Sequence, residues 1–239
     1  MRSARASGPM ALTPDLVAQV HRVLEDPGPD PHLIYHTDED YDAVVQGLLA
    51  SHPDGPETWL FAYGSLIWKP EIEHIEARKG TAEGWHRSFC FRVERFRGTR
   101  EHPGLMMSLD RGGQCHGMLF KLAPENLETQ LGKLVRREIT VKPPNNIPRW
   151  IAVNTEQGPA RALAFVMNRQ SRFYVGRLQP EEIADVLASA YGHWGSCAEY
   201  LHNTVSHLEA RGIHDRNLWR LQHLVAERIL ALPDAPTPN

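Results

Sequence analysis

Helical periodicity marks the amino-terminal part of the chain. Thr13 is a good N-cap, and Pro14 suits the first position of a helix. A second helix is predicted from Thr37, since the acidic residues 38–40 favour the positive end of a helix dipole. The apolar stripe of the first helix is Leu16, Val17, Val20 and Leu24, and that of the second is Ala43, Val44, Leu48 and Leu49.

The carboxyl-terminal part is also helical in pattern. Three helices are predicted over residues 180–191, 197–211 and 215–232. The last has an apolar stripe at helical spacing, formed by Leu218, Leu221, Leu224, Val225 and Ile229. Both extreme ends, residues 1–11 and 233–239, are rich in small residues or proline, and we expect them to be poorly ordered.

Between these helical regions the chain reads mainly as strands. Gly80 and Gly84 are expected to break the strand pattern, and residues 110–113 are expected to form a hairpin turn. A helix is predicted from Pro124 to about Arg136. The predicted strands cover residues 59–63, 72–79, 88–93, 105–109, 115–122, 137–141, 149–153 and 161–167. Strands in the middle and helices at the ends, without βαβ alternation, favour an α+β fold, and the strands could close into a small mixed β-barrel.

Composition excludes several classes of protein. The 239 residues are 41% hydrophobic and 23% charged, with a net charge of −3, so the chain can bury a core and has no overall attraction to nucleic acid. No apolar run is long enough to cross a membrane, and the basic start lacks the apolar region of a secretory signal. Whether Met1 or Met10 is the initiator is left open. The three cysteines are widely spaced, which favours a reducing, cytoplasmic setting.

Familiar catalytic motifs are missing from the sequence. It contains no phosphate-binding loop, no dinucleotide-binding glycine motif and no zinc-protease motif, and its 13 histidines lack the spacing of a metal site. For each histidine, a surface or buried structural role is therefore favoured over metal ligation. Ser65 does not lie in the nucleophile elbow of a serine hydrolase. The arginines of residues 87–111 are interleaved with phenylalanines and acidic residues, a pattern that suits a solvated strand face or a site for a small anion.

One candidate site follows the first strand of the β-rich region. The apolar residues 59–62 lead into Tyr63, Gly64, Ser65 and Leu66. Glycine allows the backbone to approach a ligand closely, and successive N–H groups could bind an anion or an oxyanion. The alternative is an ordinary turn after a strand.

A second candidate is Glu138, which follows Arg136 and Arg137 and precedes Ile139. We expect it to enter a strand among apolar residues, where partial burial would raise its pKa toward the range useful for a general base. The alternative is a structural glutamate paired with a neighbouring arginine.

Taken together, these segments resemble the ChaC family of γ-glutamylcyclotransferases. The most specific match is residues 59–70, which read W-L-F-A-Y-G-S-L-I-W-K-P. Further similar segments follow in order at residues 96–105, 113–117, 137–138, 164–176 and 195–201. The resemblance covers about residues 57–230. It divides the chain into an N-terminal extension with two helices (residues 1–56), a cyclotransferase domain (57–232) and a flexible tail (233–239).

The resemblance implies a small mixed β-barrel packed with helices, and cleavage of glutathione to 5-oxoproline and cysteinylglycine without a cofactor. By position, Tyr63, Gly64, Ser65 and Leu66 match the loop that holds the γ-glutamyl group through backbone N–H groups. Glu138 matches the catalytic glutamate, and Tyr200 matches a tyrosine near the γ-glutamyl group. We further expect Arg92 to bind the glycinyl carboxylate. The oligomeric state cannot be read from the sequence.

One departure leaves the substrate open. Where family members have a turn rich in glycine and tyrosine after the glutamate, this chain has residues 139–144, I-T-V-K-P-P. Another γ-glutamyl amine or dipeptide is therefore an alternative substrate. A non-catalytic regulatory protein linked to cation transport is the alternative from another class.

Overall fold

Two very long antiparallel strands form the centre of the molecule in the computed structural model, which describes residues 8–53 and 55–232. Strand β3 runs from His74 to Val93 and strand β4 from Gly104 to Leu122. They join three further strands, β2 (Trp59–Ala62), β6 (Asn146–Thr155) and β7 (Gly158–Met167), into a closed five-stranded barrel. The strand order in the barrel is β2-β4-β3-β6-β7. Strand β2 pairs with β7 in parallel and with β4 in antiparallel fashion, so the barrel is mixed, as the sequence predicts.

The remaining elements are short strands and helices around the barrel. The short strands outside the barrel are β1 (Ile34–Tyr35), β5 (Val141–Lys142), β8 (Tyr191–Gly192) and β9 (Gly195–Ser196). The helices are α1 (Pro14–Val20), α2 (Asp38–Ala50), α3 (Leu127–Glu138), α4 (Pro180–Ser189), α5 (Cys197–Ala210) and α6 (Arg216–Leu230). Single 3₁₀ turns lie at Ser65–Ile67 and Pro124–Asn126. The described helices include none that is both long and apolar enough to cross a membrane.

The predicted helix starts are confirmed by their capping contacts. The Thr13 hydroxyl accepts a hydrogen bond from the N–H of Leu16 at 3.3 Å. Thr37 and Asp40 form a reciprocal capping box at the start of α2. Helix α1 ends at Val20, however, so the predicted continuation of its stripe to Leu24 is wrong. Poor order was expected for residues 1–11 and 233–239: residues 1–7 and 233–239 lie outside the described residues, whereas Met10 and Ala11 pack against the core, so the expectation is wrong for them.

The predicted hairpin at residues 110–113 is also wrong, because β4 passes through these residues without turning. Gly112 and Gly113 adopt left-handed φ angles of 106° and 67°, and Gly84 on β3 adopts 79°. The register between β3 and β4 shifts at this point, since Glu83 pairs with Gln114 whereas Trp85 pairs with Arg111. The glycines therefore produce a bulge that bends both strands around the barrel instead of ending them.

The core has two parts, one inside the barrel and one between the barrel and the helices. The inner part includes Phe61, Leu109 and Val166. The outer part packs Leu60 and Phe120 of the barrel wall against α3, α5 and α6. Strand β2 contributes alternate residues to both parts, which explains why all four of its residues are buried.

Candidate active site

The segment Tyr63–Leu66 lies where β2 leaves the barrel. Tyr63 is buried, and its hydroxyl donates a hydrogen bond to the carbonyl of Phe165 on β7 at 2.8 Å. This bond fixes the start of the segment to the barrel wall. The 3₁₀ turn that follows leaves the N–H groups of Ser65 and Leu66 without partners inside the turn. The segment therefore presents backbone donors of the kind that bind an anion or a developing oxyanion.

Gly64 is the point of closest approach between this segment and α5. A β-carbon at position 64 would lie 3.1 Å from the phenol oxygen of Tyr200 and 3.3 Å from Cε of Met107. These two distances give a steric reason for glycine at position 64. The absence of a side chain lets the hydroxyl of Tyr200 reach the backbone of the loop.

Glu138 is the last residue of α3, and the predicted strand over residues 137–141 is wrong, since only Val141 and Lys142 are extended in β5. The helix continues two residues past the predicted end at Arg136 because the N–H of Ile139 still donates to the carbonyl of Val135. The Glu138 side chain is only 15% exposed. The carboxylate thus lies at the end of a rigid helix instead of at a strand edge.

Arg137 joins this carboxylate to the loop. Its Nε lies 3.2 Å from Oε1 of Glu138, and its Nη2 donates to the hydroxyl of Ser65 at 3.2 Å. Nη1 of the same guanidinium donates to the carbonyl of Lys69 and to Glu71, which hold it from the other side. The arginine pairing that we considered as the alternative for Glu138 is therefore present, and the same pair places the carboxylate beside the loop.

Burial raises the pKa of Glu138 above its ordinary value, and the charge and hydrogen bond of Arg137 oppose that rise only in part. Burial also raises the pKa of Tyr63 and of Tyr200, and the charge of Glu138 raises both further. Both phenols are therefore protonated at neutral pH and can donate hydrogen bonds. The carboxylate is a stronger base than an exposed glutamate, as general base catalysis requires.

Tyr200 lies in the first turn of α5 and is 2% exposed. A second arginine, Arg97, contacts the ring of Tyr200. The guanidinium carbon of Arg97 is 5.7 Å from the centre of its ring, and Arg97 also donates to the carbonyl of Ser196 and to Glu199, each at 2.6 Å. These contacts fix the ring that points toward Gly64.

The structure thus brings together all six residues singled out from the sequence: Tyr63, Gly64, Ser65, Leu66, Glu138 and Tyr200. The contributions of Arg97 and Met107, and the bridging role of Arg137, were not predicted. Arg97 lies in a segment that resembles the family, which was an available signal. Met107 had no such signal in the sequence, because it comes close to Gly64 only in the folded protein.

Arg92 lies apart from this cluster. Its guanidinium pairs with Glu94 at 2.9 Å and is 45% exposed, and the residue lines a neighbouring cavity. Its expected contact with a glycinyl carboxylate stays a prediction. Among the described residues, no three histidine, cysteine, aspartate or glutamate side chains are grouped closely enough to hold a metal ion.

A mixed five-stranded barrel with a backbone donor loop and a buried helix-end carboxylate defines a protein of the γ-glutamylcyclotransferase fold. A solved structure of a yeast γ-glutamylcyclotransferase specific to glutathione has this fold, with a TM-score of 0.66 over 73% of this chain and 97% of the yeast chain, at 18% sequence identity. The family model of ChaC-like proteins matches residues 58–228, and the chain belongs to that family. The resemblance and the fold predicted from the sequence are confirmed.

Two relatives show the range of similarity. The chain is 35% identical over 177 residues to the glutathione-specific γ-glutamylcyclotransferase of Escherichia coli, covering 74% of this chain and 76% of the relative. It is 28% identical over 160 residues to glutathione-specific γ-glutamylcyclotransferase 1 of Homo sapiens, covering 62% of this chain and 68% of the relative. Neither match covers the whole of this chain.

Proposed function

We propose that this protein cleaves glutathione to 5-oxoproline and cysteinylglycine, with Glu138 as general base and the loop at residues 63–66 as the γ-glutamyl site. The observation that carries the proposal is the contact of one arginine, Arg137, with both Glu138 and Ser65. The proposal is supported by this link between a carboxylate whose pKa is raised by burial and a loop that carries backbone donors. The names of the relatives in Escherichia coli and Homo sapiens support the choice of substrate.

The reaction requires the protein mainly to position the substrate and to transfer protons. The α-amine of the γ-glutamyl group attacks its own γ-carbonyl carbon, which forms the five-membered ring of 5-oxoproline. Glu138 accepts a proton from that amine, which is an ammonium group at neutral pH and must lose a proton to be nucleophilic. The bound γ-glutamyl chain must be folded back on itself, and holding this conformer is a proximity effect.

The loop completes the reaction. As the ring forms, negative charge develops on the γ-carbonyl oxygen, and the N–H groups of Ser65 and Leu66 stabilise it, each such donor being worth about 3 kcal/mol. When the intermediate collapses, the carbon–nitrogen bond to cysteine breaks. The carboxyl group of Glu138 returns its proton to the departing nitrogen, then accepts the remaining extra proton of the ring nitrogen and passes it on to the same departing amine, which leaves as an ammonium group. The hydroxyl of Tyr200 lies close enough to the loop to donate to the γ-glutamyl group.

The cellular compartment and the alternative substrates are the remaining parts of the proposal. The three cysteines are free and buried, which fits the reducing cytoplasm where glutathione is abundant. Another γ-glutamyl amine or dipeptide would use the same loop and the same base. A non-catalytic protein would bind glutathione without converting it.

The test is incubation of the purified full-length protein with glutathione, with 5-oxoproline and cysteinylglycine measured as products. A parallel incubation with γ-Glu-Ala separates glutathione from other γ-glutamyl substrates, and the Glu138→Gln variant is the control. We expect equal amounts of the two products from glutathione with the native protein. Binding of glutathione without release of either product would contradict the proposal.

A further inference from the structure

A cavity of about 470 Å³ lies between the barrel and the N-terminal extension. One wall is the extension itself, residues 24–35, and the facing wall is the end of β3 with the loop behind it, residues 91–101. The extension lies outside the segment that the family model matches, so this wall is an addition to the common fold. None of the residues proposed above as loop, base or tyrosine lines the cavity.

The lining of the cavity nevertheless includes two segments that are close along the chain to residues of the proposed active site. Thr140 and Val141 line it, and they follow Glu138 by two and three residues, which limits their separation from it to about 7 and 11 Å. Phe96 and Gly98 also line it, and they flank the Arg97 that supports Tyr200. These two segments link the cavity to the elements that carry Glu138 and support Tyr200.

The extension is anchored as a fixed wall. Asp26 accepts two hydrogen bonds from Arg95, at 2.9 and 2.7 Å, and Asp30 pairs with Arg100. Strand β1 pairs with β5, so that Tyr35 pairs with Val141, three residues after the proposed base. These contacts hold the extension against both the β3 end and the chain that follows Glu138.

The lining contains apolar side chains, and its arginines are paired with acidic residues. The rings of Phe91 and Phe173 meet edge to face at 6.4 Å, and Tyr35 and Val141 also line the cavity. The arginines of the lining each have an acidic partner: Arg95 has Asp26, Arg100 has Asp30, and Arg92 has Glu94. A cavity of this volume and lining suits an apolar group of the size found in drug-like ligands, and is larger than cysteine and glycine require.

Resting on the function proposed above, we propose that this cavity receives the apolar substituent of glutathione S-conjugates, in which an alkyl or aryl group is attached to the cysteine sulfur. The bonds that form and break are the same as for glutathione. The α-amine forms the lactam, the γ-amide bond breaks, and the products are 5-oxoproline and the S-substituted cysteinylglycine. No further reactant is needed.

The test compares glutathione with S-methyl-, S-butyl- and S-hexylglutathione, with 5-oxoproline release as the common readout. Burial of the alkyl chain raises kcat/KM by up to about fourfold for each methylene, until the cavity is filled. We expect S-hexylglutathione to be cleaved with a higher kcat/KM than glutathione. If glutathione is cleaved but S-hexylglutathione is rejected tenfold or more, the inference is wrong and the proposed function stands. If neither is cleaved, both are wrong.

A pair of variants assigns the effect to this cavity. Phe91→Ala removes a partly buried ring from the lining. It should lower kcat/KM for S-hexylglutathione about tenfold and change that for glutathione less than about twofold. Ile75→Ala, on the same strand at a side chain that is 61% exposed and outside the cavity, is the matched control and should change neither. Equal losses for both substrates in Phe91→Ala would show that the substituent does not bind here.

Discussion

The phenol oxygen of Tyr200 lies 3.1 Å from the position that a β-carbon would occupy at Gly64. This contact joins the amino end of α5 to the loop that leaves the barrel, and it depends on a missing side chain. We expect Gly64→Ala to displace either the hydroxyl or the loop and to lower kcat/KM for glutathione by about 10- to 100-fold, since small misplacements of catalytic groups have effects of this size. Steady-state kinetics of the purified variant measure this.

Two further variants test the steric explanation. Tyr200→Phe combined with Gly64→Ala removes the oxygen that the new methyl group meets, so the double variant should be more active than the product of the two single effects predicts. Gly132→Ala on α3, where an added β-carbon meets nothing within 4 Å, is the control and should keep full activity. Full activity of Gly64→Ala would contradict the close approach.

The buried carboxylate of Glu138 should matter in opposite ways for activity and for stability. Glu138→Gln keeps the shape and removes the base, so turnover should fall by about 100-fold or more. Release of 5-oxoproline from glutathione is the measurement. Activity near that of the native protein would show that Glu138 is not the base.

Stability should respond with a defined dependence on pH. Burial raises the pKa of Glu138 above its ordinary 4.5. Between the two values the folded protein holds a proton that the unfolded chain has released, so the free energy of unfolding falls as pH rises through that window. Glu138→Gln cannot titrate, and its stability relative to the native protein should rise as the pH is raised above 4.5 in denaturant titrations. A flat difference would contradict the raised pKa.

Arg137 should set the acid limb of the pH–rate profile. Its positive charge lowers the pKa of Glu138 and so opposes the effect of burial. In Arg137→Met that opposition is lost, the pKa of the carboxyl group rises, and a higher pH is needed to ionise the base. The acid limb of kcat/KM should therefore move to higher pH. Arg136→Met is the matched control, because Arg136 pairs with Asp38 on α2, and its limb should not move.

Ser65→Ala should have a small effect. The hydroxyl accepts one hydrogen bond, from Arg137 at 3.2 Å, and such a bond is worth about 1 kcal/mol. The proposed work of this residue is done by its backbone N–H, which the substitution keeps. We expect kcat/KM to fall less than about tenfold. A collapse to the level of Glu138→Gln would assign a chemical role to the hydroxyl.

The residues that carry the site were available from the sequence, but their arrangement was not. Tyr63 to Leu66, Glu138 and Tyr200 stood out because short motifs resembled a family. The structural setting of Glu138 was predicted wrongly, as an apolar pair after a glutamate is compatible with both a strand and a helix end. Only the bond from Ile139 to Val135 decides for the helix.

By itself, the sequence determined the helices with clear caps and the mixed α+β class, and it singled out the loop at residues 63–66 and Glu138 as candidates, because each depends on residues close together along the chain. Tertiary structure alone decided that the glycines of β4 bend the strand and that Arg137 reaches from Glu138 to Ser65. It also decided that the extension forms the wall of a cavity beside Glu138. The physical reason is the same in each case: these contacts join residues distant along the chain, and their geometry is fixed only when the barrel closes.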